Sequence, residues 1–310
     1  MATLKELSQR PERLSSGHRL CAGCGASIAV KQILLGTDKP VVVGAATGCL
    51  EVATTIYPFT AWKVPFIHNA FENVAATISG AETAYKALKK KGKIKKDIKF
   101  IAFGGDGGTY DIGIQSLSGA LERGHNMVYV CYDNEAYMNT GIQRSGATPC
   151  GAATTTAPAG KVKPGKEQIR KDLTSIVAAH HIPYVAQCSI FHWKDTVKKA
   201  EKAFNVEGPA FLNILAPCHR GWRYPQEDTL EIAKLAVETG FWPLIEVEDG
   251  VWRFTIKPKQ RKPITEWLKL QGRFKHLFKE KNKGLLESIQ KQVDDHWNYI
   301  EKLASCLGDK

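Results

Sequence analysis

Residues 102–113 read AFGGDGGTYDIG, and the fold and its chemistry both turn on this stretch. An apolar run, KFIAF (99–103), leads directly into four glycines with one aspartate, Asp106, among them. Glycines after a strand let the backbone approach a phosphate. A carboxylate in that place would repel the phosphate unless a divalent cation lay between them. A second cation ligand is then expected at the end of the next parallel strand, because ligands gather at strand carboxyl ends. That strand is MVYVCYD (127–133), which continues into NEAYMNTG and places Asn134 28 residues after Asp106. The interval accommodates one helical crossover and one strand.

Outward from this point the chain alternates. Strand-like runs are VVVGA (41–45), FIAFGG (100–105), MVYVCYD, YVAQCSI (184–190) and AFLNILAP (210–217). Helical patterns lie between or before them at 25–36, 73–92, 112–124, 172–182 and 193–205. Apolar strands alternating with helices predict an α/β fold, a mostly parallel sheet with helices on both faces. After residue 227 the pattern changes to a helix (229–240), a hairpin in FWPLIEVEDGVWRFTI (241–256) turning at EDG, and a lysine-rich helical tail. The expected division is an α/β domain over 1–227 with an extension over 228–310. In that frame, GDG followed at this distance by Asn matches the thiamine diphosphate signature. Asp106 and Asn134 would ligate magnesium by side chain and Ala136 by its carbonyl. A lone GDG would be satisfied by a tight glycine turn; the placed asparagine favours the metal.

Composition narrows the rest. The 310 residues are 43% hydrophobic and 24% charged, as in a soluble globular protein. No apolar run of about 18 residues predicts a membrane helix. The N-terminal segment has no apolar signal core, so a cytoplasmic protein is expected. The formal charge of +12 collects in 86–96, 257–263 and 269–283. Without aromatic interleaving or a nucleic-acid motif, these runs read first as solvated faces, with an acidic protein partner as the second reading and nucleic acid disfavoured. GKVKPGKE (160–167) imitates a P-loop, yet it ends in Glu167 where Ser or Thr is needed and follows no strand, so a surface loop is expected.

The eight cysteines form a second constellation. Cys21 and Cys24 lie in CAGCG ahead of a helix, and Cys49 and Cys218 each lie just past a predicted strand. Four such thiolates imply zinc or an iron–sulfur cluster, and the residues alone leave both open. Cys131 reads as core; Cys150, Cys188 and Cys306 have no evident partners.

SGHRLCAGCGASIAV (16–30), ATGCLEV (46–52), the segment 64–82, GGDGGTYDIGIQSLSGALERGHN (104–126), YDNEAYMNTGIQRSGATP (132–149) and LAPCHRGW (215–222) closely resemble the β subunit of the 2-oxoacid:ferredoxin oxidoreductases, pyruvate:ferredoxin oxidoreductase above all. The resemblance spans about residues 15–255 in order, leaving out the basic tail. It implies that Cys21, Cys24, Cys49 and Cys218 hold a [4Fe–4S] cluster beside thiamine diphosphate. It implies magnesium on Asp106, Asn134 and Ala136, and a cofactor-contacting turn at Thr47, Gly48 and Cys49 with Gly105 and Gly107 opposite. Asn139 matches the family's catalytic asparagine near the reacting carbon. The implied reaction is reversible oxidative decarboxylation of pyruvate with coenzyme A, its electrons passing to ferredoxin. Oxalate, without coenzyme A, or another 2-oxoacid remains an alternative on this scaffold. The implied partners are an α subunit, which supplies the glutamate for the aminopyrimidine ring, and γ and δ subunits. Glu51 and Glu72 read as structural. Cys150 stands where relatives often carry an aromatic. Two other classes stay in view: a non-redox thiamine decarboxylase or synthase subunit with structural zinc, and a non-catalytic zinc or cluster module with a basic face.

Overall fold

Strands that are apolar on both faces must be covered on both faces. In the computed structural model, which describes residues 3–306, one eight-stranded sheet meets this demand. Its strands are β1 (Val41–Ala46), β2 (Phe66–Asn69), β3 (Lys99–Gly105), β4 (Val128–Asp133), β5 (Tyr184–Ser189), β6 (Ala210–Leu215), β7 (Leu244–Glu248) and β8 (Val251–Ile256). The order across the sheet is β2-β1-β3-β4-β6-β5-β7-β8. The six strands from β2 to β5 in that order run parallel; β7 is antiparallel to β5, and β8 to β7.

The helices are α1 (Leu4–Gln9), α2 (Gly25–Leu34), α3 (Cys49–Thr54), α4 (Val74–Lys90), α5 (Ile114–Glu122), α6 (Leu173–Ala178), α7 (Trp193–Asn205), α8 (His219–Trp222), α9 (Thr229–Glu238), α10 (Thr265–Leu268) and α11 (Lys283–Cys306). Alternation along each strand sorts side chains between two cores. On one face Val43, Ile101, Phe103, Val130 and Leu212 meet α2 and α7. On the other, Phe100, Ala102, Tyr129 and Phe211 meet α4, α5 and α6. The expected parallel α/β sheet is what forms.

The hairpin turn is Asp249–Gly250, with φ of 50° and 81°, the left-handed pair that a two-residue turn requires. The hairpin extends the same sheet through β5–β7 pairing. A third core joins α9, α10 and α11 around Trp222, Trp242 and Trp267. Sequence patterning did not foresee β2, a four-residue edge strand without a continuous apolar run. Part of the basic tail is tied inward: Lys257 pairs with Glu301 at 3.1 Å, Arg261 with Asp294 at 2.6 Å and Lys262 with Glu238 at 2.8 Å. Among the described residues, no helix is long and apolar enough to cross a membrane.

Docking of α11 depends on Trp297, which is buried, packs at a tilt with its ring centroid 4.9 Å from that of Phe254 and lies under the Arg261 guanidinium at 5.2 Å. Trp297→Ala should lower unfolding stability by about 3–5 kcal/mol. Urea melts would check this, and an unchanged midpoint would show that α11 is held elsewhere.

Candidate functional site at the carboxyl edge of the sheet

Parallel pairing aligns Ala45 with Phe103, Gly105 with Tyr132 and Asp133 with Leu215. The neighbouring strands β1, β3, β4 and β6 therefore end along one edge. Thr47–Gly48–Cys49, Asp106, Asn134 and Cys218 stand immediately beyond those ends. Thr47, Gly48, Cys49, Gly105, Asp106, Gly107, Asn134, Ala136 and Asn139 line one cleft. Beyond Asp106 the chain makes a wide π-helical turn, Gly107–Asp111, before α5. A Cβ on Gly107 would lie 2.5 Å from the Tyr137 ring, so glycine is what lets Tyr137 close against this turn.

Asp106 is buried, and desolvation, with Asp133 adding to it, drives its carboxyl well above the usual carboxylate range. Ser145 Oγ donates to its Oδ2 at 2.5 Å, and the Asn134 N–H to its Oδ1 at 3.3 Å. In the orientation that satisfies its hydrogen bonds, the Asn134 amide NH2 donates to Asp106 Oδ1 and to the Ala136 carbonyl, each at 2.9 Å. Carboxylate, amide and carbonyl thus converge on one point. Turning the amide over would point its oxygen at the other two in place of those hydrogen bonds. With the oxygen inward, carboxylate, amide and carbonyl form the hard donor set that magnesium favours.

The four cysteines reach the same edge, each as a free thiol. Gly25 N–H donates to the Pro217 carbonyl at 3.3 Å, and a Cβ on Gly25 would come within 2.6–2.8 Å of the Ala216 and Pro217 backbone. Glycine thus allows the CAGC turn to press against the strand end that carries Cys218. Burial raises the thiols of Cys24, Cys49 and Cys218, Cys49 to about 12, and charge on the others of the four would raise them further. Backbone N–H groups of Ala26 and Ser27 at Cys24, and of Arg220 and Gly221 at Cys218, pull the other way. Among the described residues, no three His, Cys, Asp or Glu groups are close enough to hold one metal ion. Asp106 also raises Cys49, so the two groups share one electrostatic field.

Other positions sort themselves. Glu51 is buried beside His68 Nδ1 at 2.5 Å and Thr55 Oγ1 at 2.7 Å, a structural role, and Glu72 is exposed. Cys150 faces a different cavity, lined with Arg170, Trp242 and His296. The 160–167 loop is largely exposed, but Lys166 turns inward and donates to the Gly146 carbonyl at 3.3 Å and to those of Ser145 and Thr148. Ser145, Glu135, Trp222 and Arg273, which support the converging trio, carry no linear signal of that role.

The family described as thiamine pyrophosphate enzyme, C-terminal TPP binding domain, matches residues 46–214, the segment running from the end of β1 into β6. Pyruvate synthase subunit PorB of Thermotoga maritima is 56% identical over 99% of this chain and 98% of its own. The chain belongs to the β-subunit family of the 2-oxoacid:ferredoxin oxidoreductases. A second member, ketoisovalerate oxidoreductase subunit VorB of Pyrococcus furiosus, is 44% identical over 96% of this chain and 95% of its own. A 2-oxoglutarate:ferredoxin oxidoreductase structure from Magnetococcus marinus shares the fold, with a TM-score of 0.56 at 19% identity, covering 72% of this chain and 79% of that one. As a family member, the chain is a thiamine diphosphate-binding subunit of a larger oxidoreductase acting on 2-oxoacids.

A cluster-free preparation gives a direct check on burial at the cysteine site. With its thiol at about 12, Cys49 should alkylate about tenfold faster per pH unit from pH 8 to 11. A thiol of ordinary acidity would level off near pH 9. Iodoacetamide rates by mass spectrometry would show which; a plateau near pH 9 would mean that Cys49 is not desolvated.

Proposed function

We propose that this subunit holds magnesium–thiamine diphosphate and a proximal [4Fe–4S] cluster, and oxidatively decarboxylates pyruvate with coenzyme A. The observation that carries this reading is that Cys49 lines the same cleft as Asp106, Asn134 and Asn139. An electron acceptor at Cys49 would therefore adjoin the diphosphate site, an arrangement a simple decarboxylase does not need. Pyruvate leads because the relative named for pyruvate is 56% identical and the one named for ketoisovalerate 44%.

When bound, thiamine diphosphate supplies a nucleophilic ring carbon and an electron sink, and the cluster supplies a one-electron outlet. This chain's residues do the rest. Asp106, Asn134 and the Ala136 carbonyl hold magnesium against the diphosphate, while Gly105, Gly107 and the Thr47–Gly48 turn let backbone approach it. Asn139 orients the substrate carbonyl at the cleft. Cys21, Cys24, Cys49 and Cys218 bind the cluster as thiolates. Phe71 and Tyr137, with ring centroids 5.5 Å apart, exclude water from one wall. In the balanced reaction, 2-oxoacid and coenzyme A yield acyl-coenzyme A, CO2 and a proton, and an electron pair leaves singly to ferredoxin. Among the described residues lining the cleft, Asp106 carries the one carboxylate. The glutamate for the aminopyrimidine ring must then come from an α subunit, with γ and δ subunits completing a cytoplasmic complex.

The test is anaerobic analysis of the complex. About four irons per chain assigned to these cysteines, with an EPR signal after dithionite and reduction of the same cluster by pyruvate, is the expected result. Zinc without iron would overturn it. Asp106→Ala should abolish thiamine diphosphate binding and keep the cluster signal, whereas Cys49→Ser should do the reverse. Loss of both properties in each variant would contradict two separable sites.

A further inference from the structure

Residues 134–136 supply two of the three converging groups, and the residue between them is unusual. Glu135 is buried and adopts φ of 65°, a left-handed conformation uncommon for a residue with a side chain. That turn brings the Asn134 side chain and the Ala136 carbonyl to the same point. The backbone around it is tied down. Trp222 Nε1 donates to the Asn134 carbonyl at 2.7 Å, Thr148 Oγ1 to the Glu135 carbonyl at 2.6 Å, and the Glu135 N–H to Asp133 Oδ1 at 3.1 Å.

The Glu135 carboxylate is held by two guanidinium groups. Arg170 Nη1 donates to Oε1 at 2.9 Å, and its Nη2 serves Asp133. Arg273 Nη2 donates to Oε2 at 2.5 Å from 138 positions away, in the basic segment that the sequence left without a role. Its guanidinium lies 3.9 Å from the Trp222 ring centroid, against the same indole that bonds the Asn134 carbonyl. Trp222 in turn donates its backbone N–H to the carbonyl of Cys218 at 2.9 Å. One arginine of the C-terminal extension therefore braces the loop that supplies those groups and the loop that carries a cysteine of the four.

We propose that Arg273 is a positioning residue for magnesium–thiamine diphosphate, so that the extension belongs to the cofactor site. This rests on the magnesium reading of Asp106, Asn134 and Ala136. A guanidinium does here what an ammonium does not, since its planar fork can bond the carboxylate while its face stacks on the indole. Removing Arg273 alone would leave Glu135 with Arg170 and release the loop on its Trp222 side.

The experiment uses the assembled complex, stripped of magnesium and cofactor with a chelator. Thiamine diphosphate binding is followed by calorimetry at graded Mg2+, and cluster content by iron assay and EPR. The wild-type complex comes first: if it takes up no thiamine diphosphate with Mg2+, the site reading falls and this inference with it. Given binding, Arg273→Lys should keep the iron content and the EPR signal, and raise the Mg2+ concentration for half-saturation about 10- to 100-fold. An Arg273→Met/Glu135→Gln double variant removes both charges, so no unpaired buried carboxylate is left to unfold the chain. It should hold its cluster and show the same weakened Mg2+ dependence. Wild-type Mg2+ dependence in either folded variant would overturn the proposal. So would loss of fold and iron in both, because Arg273 would then secure the core and not the loop.

Discussion

Like charges and lone pairs crowd the carboxyl edge of β1, β3, β4 and β6, and most of the local structure follows from that crowding. The parallel register leaves no freedom in where the four strands end, so Asp106, Asn134, Cys49 and Cys218 arrive together whatever their mutual repulsion. A carboxylate, an amide and a carbonyl converge, and partly buried thiols stand where ionising any one of them opposes the rest. Protein donors relieve part of this: the hydroxyl of Ser145 at Asp106, and backbone N–H groups at Cys24 and Cys218. The magnesium and cluster proposed above would complete the relief, which is why the edge reads as a site and not as a defect.

Behind the edge lies a layer of paired charges. Arg170 and Arg273 neutralise Asp133 and Glu135 in the interior, and aromatic faces of Tyr110, Trp242, Trp222 and Phe274 sheathe the two guanidinium groups. Such pairs contribute little net stability, since desolvation offsets their attraction, but they penalise any displacement of the groups they join. A carboxylate held in this way transmits position. The Asn134–Ala136 loop is held by these charged neighbours as well as by its own burial.

The parts legible in the sequence were those encoded over short spans. Asp106 and Asn134 follow from a strand, a glycine turn and a crossover of fixed length, and the sheet strands from apolar runs buried on two faces. The cysteines were legible by type and by their places beyond predicted strands. What escaped depended on distance along the chain. Glu135 meets Arg273 across 138 positions and Asn134 meets Trp222 across 88, and no periodicity foretells such meetings. Edge strand β2 escaped because half-exposed pairing needs no apolar run. Lys166 was misleading for another reason: its loop is solvated as expected, yet the aliphatic stem lets the amine turn inward onto carbonyl groups.

The hydrogen bond between Gly25 and Pro217 also constrains the order of events as the chain folds. It joins segments 192 positions apart, and β6, which delivers one of them, inserts between β4 and β5 after both have been synthesised. Closing so long a loop carries a large entropic cost that local contacts do not offset early. The cysteine site therefore comes into being only when the middle of the sheet closes. On the proposed cluster reading, iron and sulfide would have to meet a chain that is already nearly native, at a site where Cys21 is exposed.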